Sequence, residues 1–310
     1  MYGGSKAFFY ALSRSAPLKR LASRHGLKHP GSFASRFIAG ETIEDAVDAS
    51  RRLQAQGLLI TLDHLGEGVR TVEAADAATR EYVRLMHVIV ASGIERNISL
   101  KLTQLGIDVD RATCVDNLRR ILTPADRLGF FVRIDMERST YTERTLEIVE
   151  TLWAYEHRNL GVALQAALHR TDQDVRRMNA LGARVRLVKG AYKEPGSVAY
   201  LKKADVDAAF IRLAGTLLDE GAYPAIATHD EAVIGEVRRH AAERGISQDQ
   251  FEFQMLYGIR RDLQAALVAA GYRVRVYVPF GREWFPYFMR RLGERPANLG
   301  FVLRALLRER

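Results

Sequence analysis

Eight short apolar runs, spaced along almost the whole chain, constrain its fold more than any other feature. They are LLITLD (58–63), NISLKL (97–102), FFVRID (130–135), GVALQA (161–166), RVRLVK (184–189), PAIATH (224–229), FEFQML (251–256) and RVRVYV (273–278). Segments of helical periodicity lie between them. In YTERTLEIVETLWAYEHR, Leu146, Val149, Leu152 and Trp153 share one face, and before the first run Ile43, Ala46, Val47 and Leu53 form a stripe that ends at Gly57. Alternating strand and helix requires parallel strands joined by crossover helices, and eight beats favour a closed barrel over an open sheet. The sequence therefore predicts an α/β fold, a TIM-like (β/α)8 barrel with N-terminal helices. No Pro/Ser-rich linker divides the chain. We expect a single domain, with a helical segment over 1–56, a barrel carrying the site over 57–296 and a C-terminal helix over 297–310.

The 310 residues are 47% hydrophobic and 27% charged, enough to bury a sizeable core. The net charge of +9 would suit an acidic partner. Much of it, however, sits in dispersed Arg doublets (51–52, 119–120, 176–177, 238–239 and 260–261) in helical contexts, the pattern of solvated outer faces rather than of a nucleic-acid surface. The lone Cys114 excludes internal disulfides and Cys-rich metal sites and reads as core packing. The apolar run within MYGGSKAFFYALSRSAPLKRLASRHG is too brief for a spanning helix and poor as a signal peptide, so the expected location is cytoplasmic.

Parallel barrel strands are covered on both faces and should be nearly continuous in Val, Ile, Leu and Phe, so polar residues at their C-terminal ends are informative. These are Asp63, Lys101, Asp135, Gln165, Arg186 with Lys189, His229 and Tyr277, and Glu67 follows in the first loop. Singly, each has a structural account, as a helix cap or an ion pair. Near the C-terminus, YVPFGREWFPYFMRRLGERP predicts a helix starting near Pro286 with almost no polar face, yet it carries Arg290 and Arg291 side by side. Two guanidiniums in apolar surroundings need an anion. Together with Lys101, Arg186 and Lys189, and with few carboxylates to balance them, they predict an electropositive cavity for a carboxylate, phosphates or both. The chain has no HExxH, GxSxG, Walker or GxGxxG motif. A Schiff-base aldolase using Lys101 or Lys189 and a non-enzymatic nucleic-acid scaffold remain as rival readings at this point.

Six motifs in order, SLKLTQLG, RIDMERS, ALQA, RVRLVKGAYKE, ATHD and RVYVPFGREWFPYFMRRLGERPAN, resemble the proline dehydrogenase family. The resemblance runs from about residue 36 to near the end. It implies a distorted (β/α)8 barrel that binds FAD noncovalently at the strand C-termini and oxidises L-proline to Δ1-pyrroline-5-carboxylate, with a quinone as electron acceptor. It implies a substrate carboxylate held by Lys101, Arg290 and Arg291, a pocket lined by Asp135 and Tyr277, a gate at Glu67 that pairs with Arg290, and support from Glu294. For the flavin it implies Gln165, Arg186, Val188, Lys189, Gly190, Thr228 and His229, with Lys202 and its neighbour Lys203 near the pyrophosphate. Lys193 stands where several family members have Trp. The implied partners are L-proline, the quinone, transient contact with the inner face of the cell membrane and a separate pyrroline-5-carboxylate dehydrogenase, with no nucleic acid and no metal.

Overall fold

All eight apolar runs become strands, and the strands close on themselves. The computed structural model describes the backbone of residues 34–293 and side chains as far as Met289. Strands β1 (Leu59–His64), β2 (Asn97–Leu100), β3 (Phe131–Ile134), β4 (Leu160–Gln165), β5 (Arg184–Val188), β6 (Ala225–Ala227), β7 (Glu252–Leu256) and β8 (Val274–Phe280) pair in chain order into a parallel barrel. The seam is β8 against β1, from Leu59 opposite Arg275 to His64 opposite Phe280. Helix α1 (Ile43–Gln54) leads into β1. Helices α2 (Val72–Ser92), α3 (Arg111–Arg127), α4 (Ser139–Ala154), α5 (Thr171–Leu181), α6 (Lys203–Glu220), α7 (Glu231–Arg244), α8 (Arg261–Ala269) and α9 (Trp284–Gly293) follow β1 to β8 in turn.

The helices begin where local chemistry lets them. Thr71 is extended, and its hydroxyl accepts from Ala74 N at 3.2 Å, which satisfies one of the orphan donors at the start of α2; the helix ends at Gly93 with φ 68°. The main core lies between sheet and helices. Ile60, Leu62, Ile98, Leu100, Val132 and Ile134 point outward and are fully buried, as are Tyr82, Leu85, Met86 and Ile89 of α2. Each such aliphatic side chain contributes about 1.5–3 kcal/mol of transfer free energy.

The inward face is not apolar, and here the expectation of near-continuous Val, Ile, Leu and Phe fails. Thr61, Asp63, Ser99, Arg133, Arg186, Glu252, Gln254 and Arg275 are all buried and alternate with the outward apolar positions. Arg186 of β5 reaches Ser99 of β2 and Gln254 of β7, strands that do not neighbour one another, so its side chain crosses the barrel interior. A polar interior holds only if its charges find partners. Arg275 does, donating to both carboxylate oxygens of Glu252 at 2.8 and 2.9 Å and to Glu95 at 2.7 Å.

Helix α9 starts at Trp284, two residues ahead of the expected Pro286. Proline is tolerated there because the first turn has no intrahelical partner for its missing N–H. The apolar character is as expected: Trp284, Phe285, Tyr287, Phe288 and Met289 are buried in a second core with Phe37, Ile38 and Leu65. The backbone of Arg290 and Arg291 falls in α9, while their side chains, all of Glu294, and the segments 1–33 and 297–310 lie outside the described residues. Among the described residues no helix is long and apolar enough to cross a membrane.

Candidate active site

Lys101 extends β2 beyond Leu100 and is only 7% exposed. Its ammonium donates to both oxygens of Asp63 at 3.0 and 3.1 Å, to Asp135 Oδ2 at 3.4 Å and to the Tyr277 hydroxyl at 3.2 Å, with a Glu67 oxygen at 3.8 Å. Tyr277 passes a hydrogen bond on to Asp135 Oδ2 at 2.6 Å. The other Asp135 oxygen accepts from Arg186 at 2.5 Å, and the remaining Arg186 nitrogens donate to Gln254 at 2.5 Å and Ser99 at 2.9 Å. The guanidinium also lies over the Tyr277 ring, 5.3 Å from its centroid. Five residues expected from strand ends, Asp63, Lys101, Asp135, Arg186 and Tyr277, thus meet at the C-terminal rim.

Among the described residues the cations of the expected electropositive cavity are balanced by carboxylates. Lys101 faces Asp63, Asp135 and Glu67, and Lys189 donates to Asp207 at 2.5 Å and Asp230 at 2.9 Å. The physical reason is that a buried ammonium left unpaired is costly, so Lys101 and Lys189 each come with their own carboxylates. Burial works against the charge on Lys101, but Asp63, Asp135 and Glu67 outweigh it and hold its pKa well above the ordinary lysine value. A Schiff-base nucleophile needs the opposite shift, so this environment does not favour Lys101 as an aldolase nucleophile. Burial, with Asp135 and Asp63 adding, raises Tyr277 well above the ordinary phenol, so it stays protonated.

A cavity of about 600 Å³ runs from this cluster toward β5 and β6. Val188 at the end of β5 and Lys189 and Gly190 just after it line the cavity, as do Thr228 and His229 after β6. Gly190 has φ 114°, and a side chain there would also crowd Ala167 at 3.2 Å, so the strand exit is shaped for glycine. Gln165 is fixed by donating to Glu137 O at 3.0 Å. His229 Nε2 accepts from Leu256 N at 2.9 Å, which leaves its proton on Nδ1. Lys202 is exposed at the start of α6 and does not line the cavity; its neighbour Lys203 does, bound to Asp207 and Asp230.

Asp63 is a strand-end residue without a place in the expected site, and Ser99, Gln254, Met136, Asp207 and Asp230 were not expected there at all. Two of these had a visible signal. The alternation in SLKL and FEFQML puts Ser99 and Gln254 on the same face as their neighbours Lys101 and Glu252. Asp207 and Asp230 sit beyond strand ends, on α6 and just before α7, where only the folded chain brings them to Lys189.

A closed parallel barrel with this rim has many possible chemistries, and comparison with known proteins decides among them. The family model described as proline dehydrogenase matches residues 46–304. The chain belongs to the proline dehydrogenase family. Proline dehydrogenase 2 of Bacillus subtilis is 39% identical over 306 residues, covering 98% of this chain and 99% of that protein. Proline dehydrogenase of Deinococcus radiodurans is 42% identical over 283 residues, 89% of this chain and 91% of that one. A crystal structure of proline utilization A (PutA) from Bdellovibrio bacteriovorus, inactivated by N-propargylglycine, superposes with a TM-score of 0.79 at 26% identity. It covers 84% of this chain and 32% of its own. Proline dehydrogenase family membership makes this chain an oxidoreductase, with the rim of the barrel as its candidate centre.

Proposed function

We propose that this chain oxidises L-proline to Δ1-pyrroline-5-carboxylate with noncovalently bound FAD and passes the electrons to a quinone. The observation that carries the proposal is the meeting of Lys101, Asp135, Tyr277 and Arg186, from four strands, at one end of a cavity whose other end is lined by Val188, Lys189, Gly190, Thr228 and His229. The residues fit a flavin nucleotide. The volume is within the usual range of about 300–1,000 Å³ for cofactor pockets. Small side chains at Ala163 and Ala227 leave room for a flat ring, Gln165 and Arg186 offer polar edges, and Lys189 and Lys203 offer ammonium groups for phosphates. FAD, when bound, supplies the hydride acceptor.

The protein's own contribution is orientation. Lys101, with Arg290 and Arg291, grips the proline carboxylate, and Tyr277 walls the ring and limits its size. Asp135 holds Tyr277 and Arg186 in register with each other. Glu67, pairing with Arg290, closes the site and excludes water, and Glu294 braces the two arginines. The ring nitrogen must be neutral as hydride leaves, and its ammonium proton passes to solvent before that closure. Of the two lysines near the pyrophosphate, Lys203 is the better placed and Lys202 the weaker candidate.

We assign the whole chain to one domain, with helices over 1–56, the barrel over 57–296 and a C-terminal helix over 297–310. It acts in the cytoplasm, with transient visits to the inner face of the cell membrane where the quinone resides, and delivers product to a separate pyrroline-5-carboxylate dehydrogenase. The test is product formation: purified protein supplied with FAD, L-proline and a soluble quinone should yield the cyclic imine. Absence of imine under those conditions would contradict the proposal.

A further inference from the structure

We propose that Asp63 is a positioning residue for the reaction, a sealed carboxylate that fixes Lys101 in place and in its charged form so that the substrate carboxylate meets a full ammonium. The inference rests on the reading that Lys101 grips that carboxylate.

Asp63 sits on β1, directly beside Ser99 of β2, and is 0% exposed. Both of its oxygens accept from the Lys101 ammonium, at 3.0 and 3.1 Å. The other groups that face Lys101 are held more loosely. Glu67, from the loop after β1, is 3.8 Å away with its side chain 23% exposed, and Asp135, from β3, is 3.4 Å away and 13% exposed. Tyr277 of β8 lies at 3.2 Å, and Tyr82 of α2 adds a more distant influence.

These differences decide which contact survives substrate binding. One ammonium surrounded by three carboxylates has no room for a fourth anion, so an arriving carboxylate must displace one. Glu67 can turn to water, and Asp135 retains Arg186 and Tyr277 as partners. Asp63 has no water to turn to, and losing Lys101 would leave a buried charge uncompensated, which costs several kcal/mol. Asp63 therefore stays. It also supplies the closest opposing charge against a burial that would otherwise strip Lys101 of its proton.

Asp63→Asn keeps the shape and removes the charge. Lys101 should then lose its proton at lower pH than in the parent. Two readouts follow on the FAD-loaded enzyme: kcat/KM for L-proline, and the affinity for a five-membered-ring carboxylate without the nitrogen, read from the flavin absorbance. In the variant both should stay within about tenfold of the parent at pH 6.5 and then fall progressively as Lys101 loses its proton, at pH values where the parent stays flat. Equal loss at every pH would reduce Asp63 to a structural ion pair, and no loss would remove it from the site; either result overturns the inference. Should the variant not fold, the parent alone decides, because a decline in analogue affinity centred below the ordinary lysine value would show that Asp63 does not keep Lys101 charged. A parent protein that binds the analogue but does not oxidise proline would instead sink the functional reading.

Discussion

Lys101 is where a buried charge and a ligand have to share the same carboxylates. Replacing it by Met removes the ammonium but leaves the cavity wall, so Lys101→Met should raise the KM for proline by about a hundredfold or more, the cost of a lost charge-assisted contact of roughly 3 kcal/mol. Flavin content should be unchanged, and a flat KM would exclude Lys101 from substrate binding. Glu137 makes a prediction about pH. Burial pushes it up to about 7 from an ordinary 4.5, against hydrogen bonds from Thr103 and with Glu67 adding to the rise. Its proton is bound more tightly in the folded state, so its contribution to stability is full below the unfolded value and is lost as pH rises toward 7, by at most about 3 kcal/mol. Glu137→Gln removes that titration, so its Tm should gain on the parent between pH 5 and 8, whereas parallel Tm curves would show that Glu137 is ionised throughout. Lys101, Asp135, Tyr277 and Arg186 were readable as strand-end residues. Their pairing was not, because which carboxylate meets which cation depends on side chains crossing the barrel between strands far apart in sequence.

At the scale of elements, the eight strands were legible to within a residue or two because apolar outward positions and turn signals bracket each one. Close approach between strands leaves a weaker trace. Gly161 of β4 lies where an added Cβ would be 2.4 Å from Arg184 O of the neighbouring strand and 2.7 Å from the Phe131 ring. Backbone cannot yield there without breaking register, so Gly161→Ala should cost about 1–3 kcal/mol and lower Tm by several degrees. An unchanged Tm would mean that the β4–β5 contact yields to a methyl group without loss of register. In the sequence Gly161 reads only as the first residue of GVALQA, and nothing local marks the obstruction.

Taken whole, the molecule is a barrel with an apolar jacket and a polar bore. The bore runs from Arg275, Glu252 and Glu95 through Gln254 and Arg186 to Asp135, Lys101 and Asp63. Arg275→Met leaves Glu252 buried without its bidentate partner and should destabilise by roughly 3–5 kcal/mol, visible as a large fall in Tm with proline affinity preserved in what remains folded. A Tm within a degree of the parent would show that the bore is wet. Composition and charge could not reveal this arrangement, since the net charge of +9 reflects residues on outer faces as well as those inside. The central claim is that the rim cluster presents proline to a bound flavin, and the most direct measurement is the visible absorbance of the purified, FAD-loaded protein, kept free of oxygen, before and after L-proline. The account predicts a yellow protein whose flavin band bleaches on adding proline and does so far less in Lys101→Met. A band that proline leaves untouched, or a protein that takes up no flavin, would contradict it.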